Sequence, residues 1–155
     1  MKIMVVGGGG REHALIKKIK ESPKAEKIYA LPGNGGIAQD AECVNINAKD
    51  IPGMVKFAKE NEIDFAVVAP DDPLVLGAVD ALQEAGVKTF GPTKVAAIIE
   101  GSKAFSKDLM KKYKIPTAAY ETFTDMQAAL DYLDTQKAPI VVKADGLALG
   151  KGVIL

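Results

Sequence analysis

Apolar positions in the first hundred residues fall in short blocks separated by amphipathic stretches. The blocks at residues 3–6, 27–30, 43–46 and 65–68 are apolar or β-branched almost throughout rather than alternating. That is the pattern of strands covered on both faces. Between them, residues 11–20 put Leu15, Ile16 and Ile19 on one helical face and Lys17, Lys18 and Lys20 largely on the other. Residues 54–61 and 73–85 read similarly, and Gly86 closes the latter as a left-handed stop. Strand–helix alternation predicts an α/β fold: a Rossmann-like open parallel sheet with helices on both faces.

The rhythm changes at Gly91-Pro92-Thr93. Residues 95–99 predict a short apolar helix, and Ser102 is placed to cap a longer one over 103–113, ended by Ile115-Pro116. A strand is expected over 119–123, then a helix to Leu133 opened by a Thr124-x-x-Gln127 capping box. Residues 140–143 predict a strand, 144–151 a small, glycine-rich loop, and 152–155 a further strand with no visible partner. The expected organisation is a domain over residues 1–100 and the incomplete start of a second over 101–155.

Composition narrows the function. Of 155 residues, 48% are hydrophobic and 26% charged, enough for a core and a wetted surface. Twenty Lys and Arg balance twenty Asp and Glu, so the basic excess of a general nucleic-acid binder is missing. With His13 and Cys43 as the single histidine and cysteine, neither an intrachain disulfide nor the usual Cys/His zinc site can form. No apolar run is long enough for a bilayer, and the start lacks a signal-peptide pattern. A cytoplasmic protein with no membrane partner is expected.

Chemistry concentrates in loops that follow strands. Gly7-Gly8-Gly9-Gly10-Arg11-Glu12-His13 joins the first strand to the first helix. Such a turn lets backbone N–H groups approach a phosphate at a helix N-terminus, although a tight turn without ligand has the same composition. The dinucleotide fingerprint fails, because Glu12 and His13 stand where its last glycine is required. Ala30-Leu31-Pro32 occupies the place of the ribose-binding acid, which disfavours a nicotinamide dehydrogenase. His13 fits either packing, capping or catalysis.

Pro32-Gly33-Asn34-Gly35-Gly36 follows the second strand and is turn-forming. Ala69-Pro70-Asp71-Asp72 follows the fourth, where Asp71 suits a helix cap or a sugar hydroxyl. Glu100-Gly101-Ser102-Lys103 opens a helix, and Lys103 alone would be an ordinary surface lysine. Val142-Lys143-Ala144-Asp145-Gly146 runs on to Gly150-Lys151-Gly152. A lysine ending an apolar strand, expected to be buried, calls for an anionic partner, and a glycine loop with a second lysine suits a triphosphate. It is not a Walker loop, since three residues rather than four separate Gly146 from Gly150 and Gly152 follows the lysine.

Gly7 to Leu15 resembles the opening motif of the phosphoribosylamine–glycine ligase family, which usually has asparagine where Gly8 stands. The 143–152 loop resembles the nucleotide loop of ATP-grasp ligases, and the Gly91, Glu100 and Ile115 motifs fit the same family in the same order. The resemblance implies a pre-ATP-grasp N-domain followed by the opening of an ATP-grasp domain. It implies ATP-dependent joining of glycine to 5-phosphoribosylamine through glycyl phosphate, giving glycinamide ribonucleotide, ADP and phosphate in purine synthesis. Gly9, Gly10, Glu12, Asn34 and Asp71 are then the candidate phosphate and ribose contacts. Lys103, Lys143, Gly146, Gly150, Lys151 and Gly152 are the candidate ATP contacts. The magnesium or manganese ligands and much of the glycine site are expected beyond Leu155, so no catalytic or metal residue is assigned. The 155 residues alone are expected to be inactive, and the full enzyme monomeric. The alternatives are another ATP-grasp carboxylate–amine ligase or carboxylase, or a non-catalytic phospho-sugar or nucleotide-binding module.

Overall fold

A computed structural model describes residues 1–148 and 152–155. The chain forms two compact units, Met1–Ala97 and Ile98–Leu155.

The first unit is built on five parallel strands: β1 (Lys2–Gly7), β2 (Lys27–Pro32), β3 (Glu42–Cys43), β4 (Phe65–Val68) and β5 (Lys88–Phe90). Their order in the sheet is β3-β2-β1-β4-β5. The central strand β1 pairs Val5 with Ala30 on one side and with Val67 on the other. Successive side chains of β1 enter opposite cores, which is why the strand is apolar at every position. Met4 and Val6 pack with Leu31, Ala66 and Val68 beneath α2 (Ile51–Glu60) and α4 (Ala78–Glu84). Ile3 and Val5 pack with Ile28, Ala30 and Val67 beneath Ile16 of α1 (Gly10–Lys20) and Ile37 of a 3-10 turn. Helices thus lie on both faces, as the alternation predicts.

Two predicted elements of this unit differ. The third strand is Glu42–Cys43 rather than 43–46: Val44 N–H still reaches Ala30 O at 2.9 Å, but Ile46 N–H turns back to Val44 O at 2.7 Å. At the sheet edge no further strand holds the chain extended. The helix predicted over 73–85 is two helices, α3 (Asp71–Leu76) and α4, because Gly77 between them is left-handed at φ 92°. Glycine adopts that geometry at no steric cost, so one helix ends and the next starts in a new direction.

A further helix, α5 (Lys94–Gly101), runs across the boundary between the units. The second unit contains α6 (Lys103–Lys112), α7 (Met126–Asp134) and a two-stranded sheet of β6 (Val142–Lys143) and β7 (Val153–Ile154). Ser102 caps α6 as expected, its Oγ accepting Phe105 N–H at 3.1 Å. No strand forms over 119–123; just ahead of it, Lys107 Nζ takes the Ala118 carbonyl at 3.0 Å and Thr117 Oγ1 at 2.7 Å. The cap of α7 is Asp125 rather than Thr124, accepting Ala128 N–H at 2.8 Å, while Gln127 spends its amide on Asp131. The strand expected to lack a partner has one: β7 pairs antiparallel with β6, Lys143 opposite Val153. Both residues of β6 are exposed, so Lys143 does not end a buried strand.

Ile16 is fully buried and, with the partly buried Ile19, packs α1 onto its face of the sheet. Ile16→Ala should cost about 2–5 kcal/mol, by lost burial and the cavity left behind. Urea unfolding checks this against Lys18→Ala, at an exposed position of the same helix that should stay within about 0.5 kcal/mol.

Candidate functional site

Parallel pairing brings the carboxyl ends of β1, β2 and β4 to one edge of the sheet, with the predicted loops beside one another. The loops after β1 and β2 are joined backbone to backbone. Gly33 N–H donates to Gly7 O at 3.1 Å, and the Asn34 side-chain amide donates to Gly8 O at 2.7 Å. A Cβ at Gly8 would lie 2.5 Å from Gly33 O, so no side chain fits that approach without a shift. Asn34 also folds its own loop, its Oδ1 accepting Gly36 N–H at 2.8 Å and Ile37 N–H at 2.9 Å. Its side chain is therefore committed to holding the two loops in register.

Glu12 lies beneath the first loop, 4% exposed. Its Oε2 accepts Gly9 N–H at 2.6 Å, while its Oε1 is buried without a partner among the described residues. Gly7 must be glycine here: its φ is +125°, and a Cβ would run into Glu12 and Pro70. Gly10 opens α1, and a Cβ there would meet nothing within 4 Å. The loop thus presents open backbone at the positive end of a helix dipole, with a carboxylate under it.

His13 turns toward the second loop. Its Nε2 pairs with Asp40 Oδ2 at 2.9 Å, and Lys20 takes Asp40 Oδ1 at 3.0 Å. His13 and then Lys20 hold the Asp40 carboxyl below its ordinary range. Asp71 stands in the first turn of α3, half-buried and without a side-chain bond among the described residues. Its neighbour Asp72 pairs with Lys49 at 2.6 Å. The cap reading of Asp71 is not realised, since Pro70 is the N-cap and no side chain caps the helix. Next to it, a groove of about 530 Å³ is lined by Val68, Leu74, Phe90, Gly91 and Pro92 among others.

In the second unit, Lys103 and Gly146 come together: Lys103 Nζ donates to Gly146 O at 2.5 Å. Asp145 binds the start of α6, its Oδ1 accepting Lys103 N–H at 2.6 Å and Ala104 N–H at 3.2 Å, its Oδ2 accepting the Ser102 hydroxyl at 3.0 Å. The Ala104 N–H foremost, then Ser102, holds its carboxyl below the usual range. Sequence reasoning did not single out Asp145, because its partners lie more than 40 residues away. Lys143 is exposed on β6, and Gly152 stands against Ala144 and Ala148 at the return of the loop. Gly150 and Lys151 lie outside the described residues. Among the described residues, no three His, Cys, Asp or Glu side chains gather as a metal site, and no helix is long and apolar enough to cross a membrane.

Comparisons with known proteins agree along the whole chain. Residues 1–100 match the family model "Phosphoribosylglycinamide synthetase, N domain", and residues 101–155 match "Phosphoribosylglycinamide synthetase, ATP-grasp (A) domain". The chain is 55% identical to a phosphoribosylamine–glycine ligase of Haemophilus influenzae and 53% identical to one of Caldanaerobacter subterraneus. Each similarity covers 100% of this chain and 37% of the relative, so the chain spans little more than a third of their length. A Thermotoga maritima phosphoribosylamine–glycine ligase structure superposes with a TM-score of 0.76 at 29% identity, over 99% of this chain and 35% of that one. The biotin carboxylase domain of Hydrogenobacter thermophilus 2-oxoglutarate carboxylase has a TM-score of 0.75 at 19% identity, covering 99% and 36%, and shares the fold.

Asp40 gives a pH signature. A carboxylate with a lowered folded pKa stabilises above its unfolded value, and that stability is lost as pH falls through the folded pKa. Asp40→Asn should therefore lower Tm near neutral pH, and its deficit should shrink as pH falls below the ordinary value of 3.8. Thermal melts of both proteins from neutral to strongly acidic pH check this; a deficit independent of pH would contradict it.

Proposed function

The chain belongs to the phosphoribosylglycinamide synthetase family, and we propose that it supplies the sugar-phosphate side and the first nucleotide contacts of a ligase. That ligase joins glycine to 5-phosphoribosylamine with ATP, releasing glycinamide ribonucleotide, ADP and phosphate, in the cytoplasm. The observation that carries this is the joining of the two strand-end loops through Gly7, Gly8, Gly33 and Asn34. It leaves the N-terminus of α1 open at Gly10 on the edge where ligands of open parallel sheets bind.

Each residue takes a role from its contacts. The open N-terminus of α1 at Gly10 receives the 5-phosphate, beside a Gly9 whose own N–H is already held by Glu12. Glu12 holds Gly9 from below through Oε2, and its buried Oε1 has no partner among the described residues. Asn34 fixes the floor rather than reaching outward. Asp71, with no partner among the described residues, accepts from ribose hydroxyls. In the second unit, Lys103 and Lys143 neutralise nucleotide phosphates, with Gly146 and Gly152 as parts of the covering loop; Gly150 and Lys151 complete it. ATP supplies a leaving group to an otherwise unreactive carboxylate, and lysine charge offsets the phosphate oxygens as that happens. The described residues do not gather a magnesium or manganese site.

The test is a full-length chimera in which these 155 residues replace the matched stretch of the Haemophilus influenzae relative. It should form glycinamide ribonucleotide from glycine, ATP and freshly generated phosphoribosylamine. Lys143→Ala should lower kcat/KM for ATP by more than about tenfold. Turnover with bicarbonate in place of glycine would assign a carboxylase instead, and unchanged ATP kinetics in Lys143→Ala would remove that lysine from the site.

A further inference from the structure

We propose that Asp145 is a positioning residue of the nucleotide site, tying the Asp145–Gly146 turn to the start of α6 so that the Lys103 ammonium is held in place to meet a phosphate. The inference rests on the ATP-dependent function proposed above.

α6 already has a local cap in Ser102, whose Oγ takes the Phe105 N–H. Asp145, some 40 residues away, takes the two N–H groups in front of it, Lys103 and Ala104, and the Ser102 hydroxyl as well. Between them the two side chains satisfy the first three N–H groups of the helix, which otherwise lack intrahelical partners. The contact therefore fastens a distant loop as well as closing a helix end. On the other side, Lys103 Nζ donates to Gly146 O, so consecutive loop residues are clipped by the main chain and the side chain of one lysine. The glycine at that point is left-handed, φ +86°. The anchor thus fixes the base of the loop and places the Lys103 ammonium beside its carbonyl. Because both main-chain bonds end on Oδ1, an asparagine can keep them, and its amide can donate to Ser102 Oγ.

The experiment uses the full-length ligase carrying this chain. Asp145→Ala should raise KM for ATP about tenfold and leave KM for glycine within about twofold. Asp145→Asn should stay within about threefold of the parent, whereas Asp145→Glu, which keeps the charge but displaces it, should raise KM for ATP severalfold. In a Lys103→Ala background, Asp145→Ala should cost less than it does alone, because part of what Asp145 positions is the Lys103 ammonium. Thermal melts separate misfolding from mispositioning; if the alanine variant does not fold, the Glu and Asn pair decides. An unchanged KM for ATP in Asp145→Glu, or an Asn variant as impaired as the Glu variant, would overturn the proposal. Calorimetric binding of MgATP alone distinguishes the two inferences. If MgATP binds and weakens in this order while glycine is not ligated, the reaction assignment falls and the anchor stands. Ligation with MgATP affinity indifferent to position 145 removes the anchor and leaves the reaction.

Discussion

Two loops at the carboxyl edge of the sheet touch backbone to backbone, and most of the candidate sugar-phosphate site depends on that contact. Gly33 reaches Gly7, and Asn34 reaches Gly8, across a gap that would place a Cβ on Gly8 only 2.5 Å from a carbonyl oxygen. The approach is available because β1 and β2 are paired in parallel register up to Gly7 opposite Pro32, so both chains leave the sheet together. The register is in turn set by the two apolar cores, since a one-residue slip would exchange the faces on which Met4 and Val5 are buried. Packing on both faces of the sheet thus determines where the glycine N–H groups end up.

The same contact changes the meaning of a glycine-rich loop. Four consecutive glycines would be costly to order and, alone, loose. Here Gly9 is held by a buried carboxylate and Gly8 by a side-chain amide, so the loop enters α1 already arranged. A helix end that is already ordered binds an anion with less entropy loss than a loop that must first fold. The buried Glu12 Oε1, without a partner among the described residues, is a local cost of that arrangement.

Much of this was legible in the residues. The apolar blocks located four of the five strands in the first unit, and Gly-rich segments marked the turns around the candidate site. Ser102 was recognisable as a cap because its partner lies three residues away. What could not be read was set by distance or by a single backbone angle. Asp145 caps a helix that starts more than 40 residues before it, and nothing around it in sequence announces that. Gly77 divides one amphipathic pattern into two helices by its φ alone. The pairing of β7 with β6 places Lys143 on an exposed two-stranded sheet, where an apolar block had implied a buried strand. Asn34 reads from the sequence as a candidate contact residue, but its three side-chain bonds all run within the protein.

Titration of the 155-residue chain with ribose 5-phosphate, followed through backbone amide resonances, tests most directly whether these loops hold a sugar phosphate. The account predicts saturable shifts centred on Gly8, Gly9, Gly10, Asn34 and Asp71, with inorganic phosphate reproducing those at Gly9 and Gly10. Absence of binding, or shifts confined to the groove lined by Val68, Leu74 and Phe90, would contradict it.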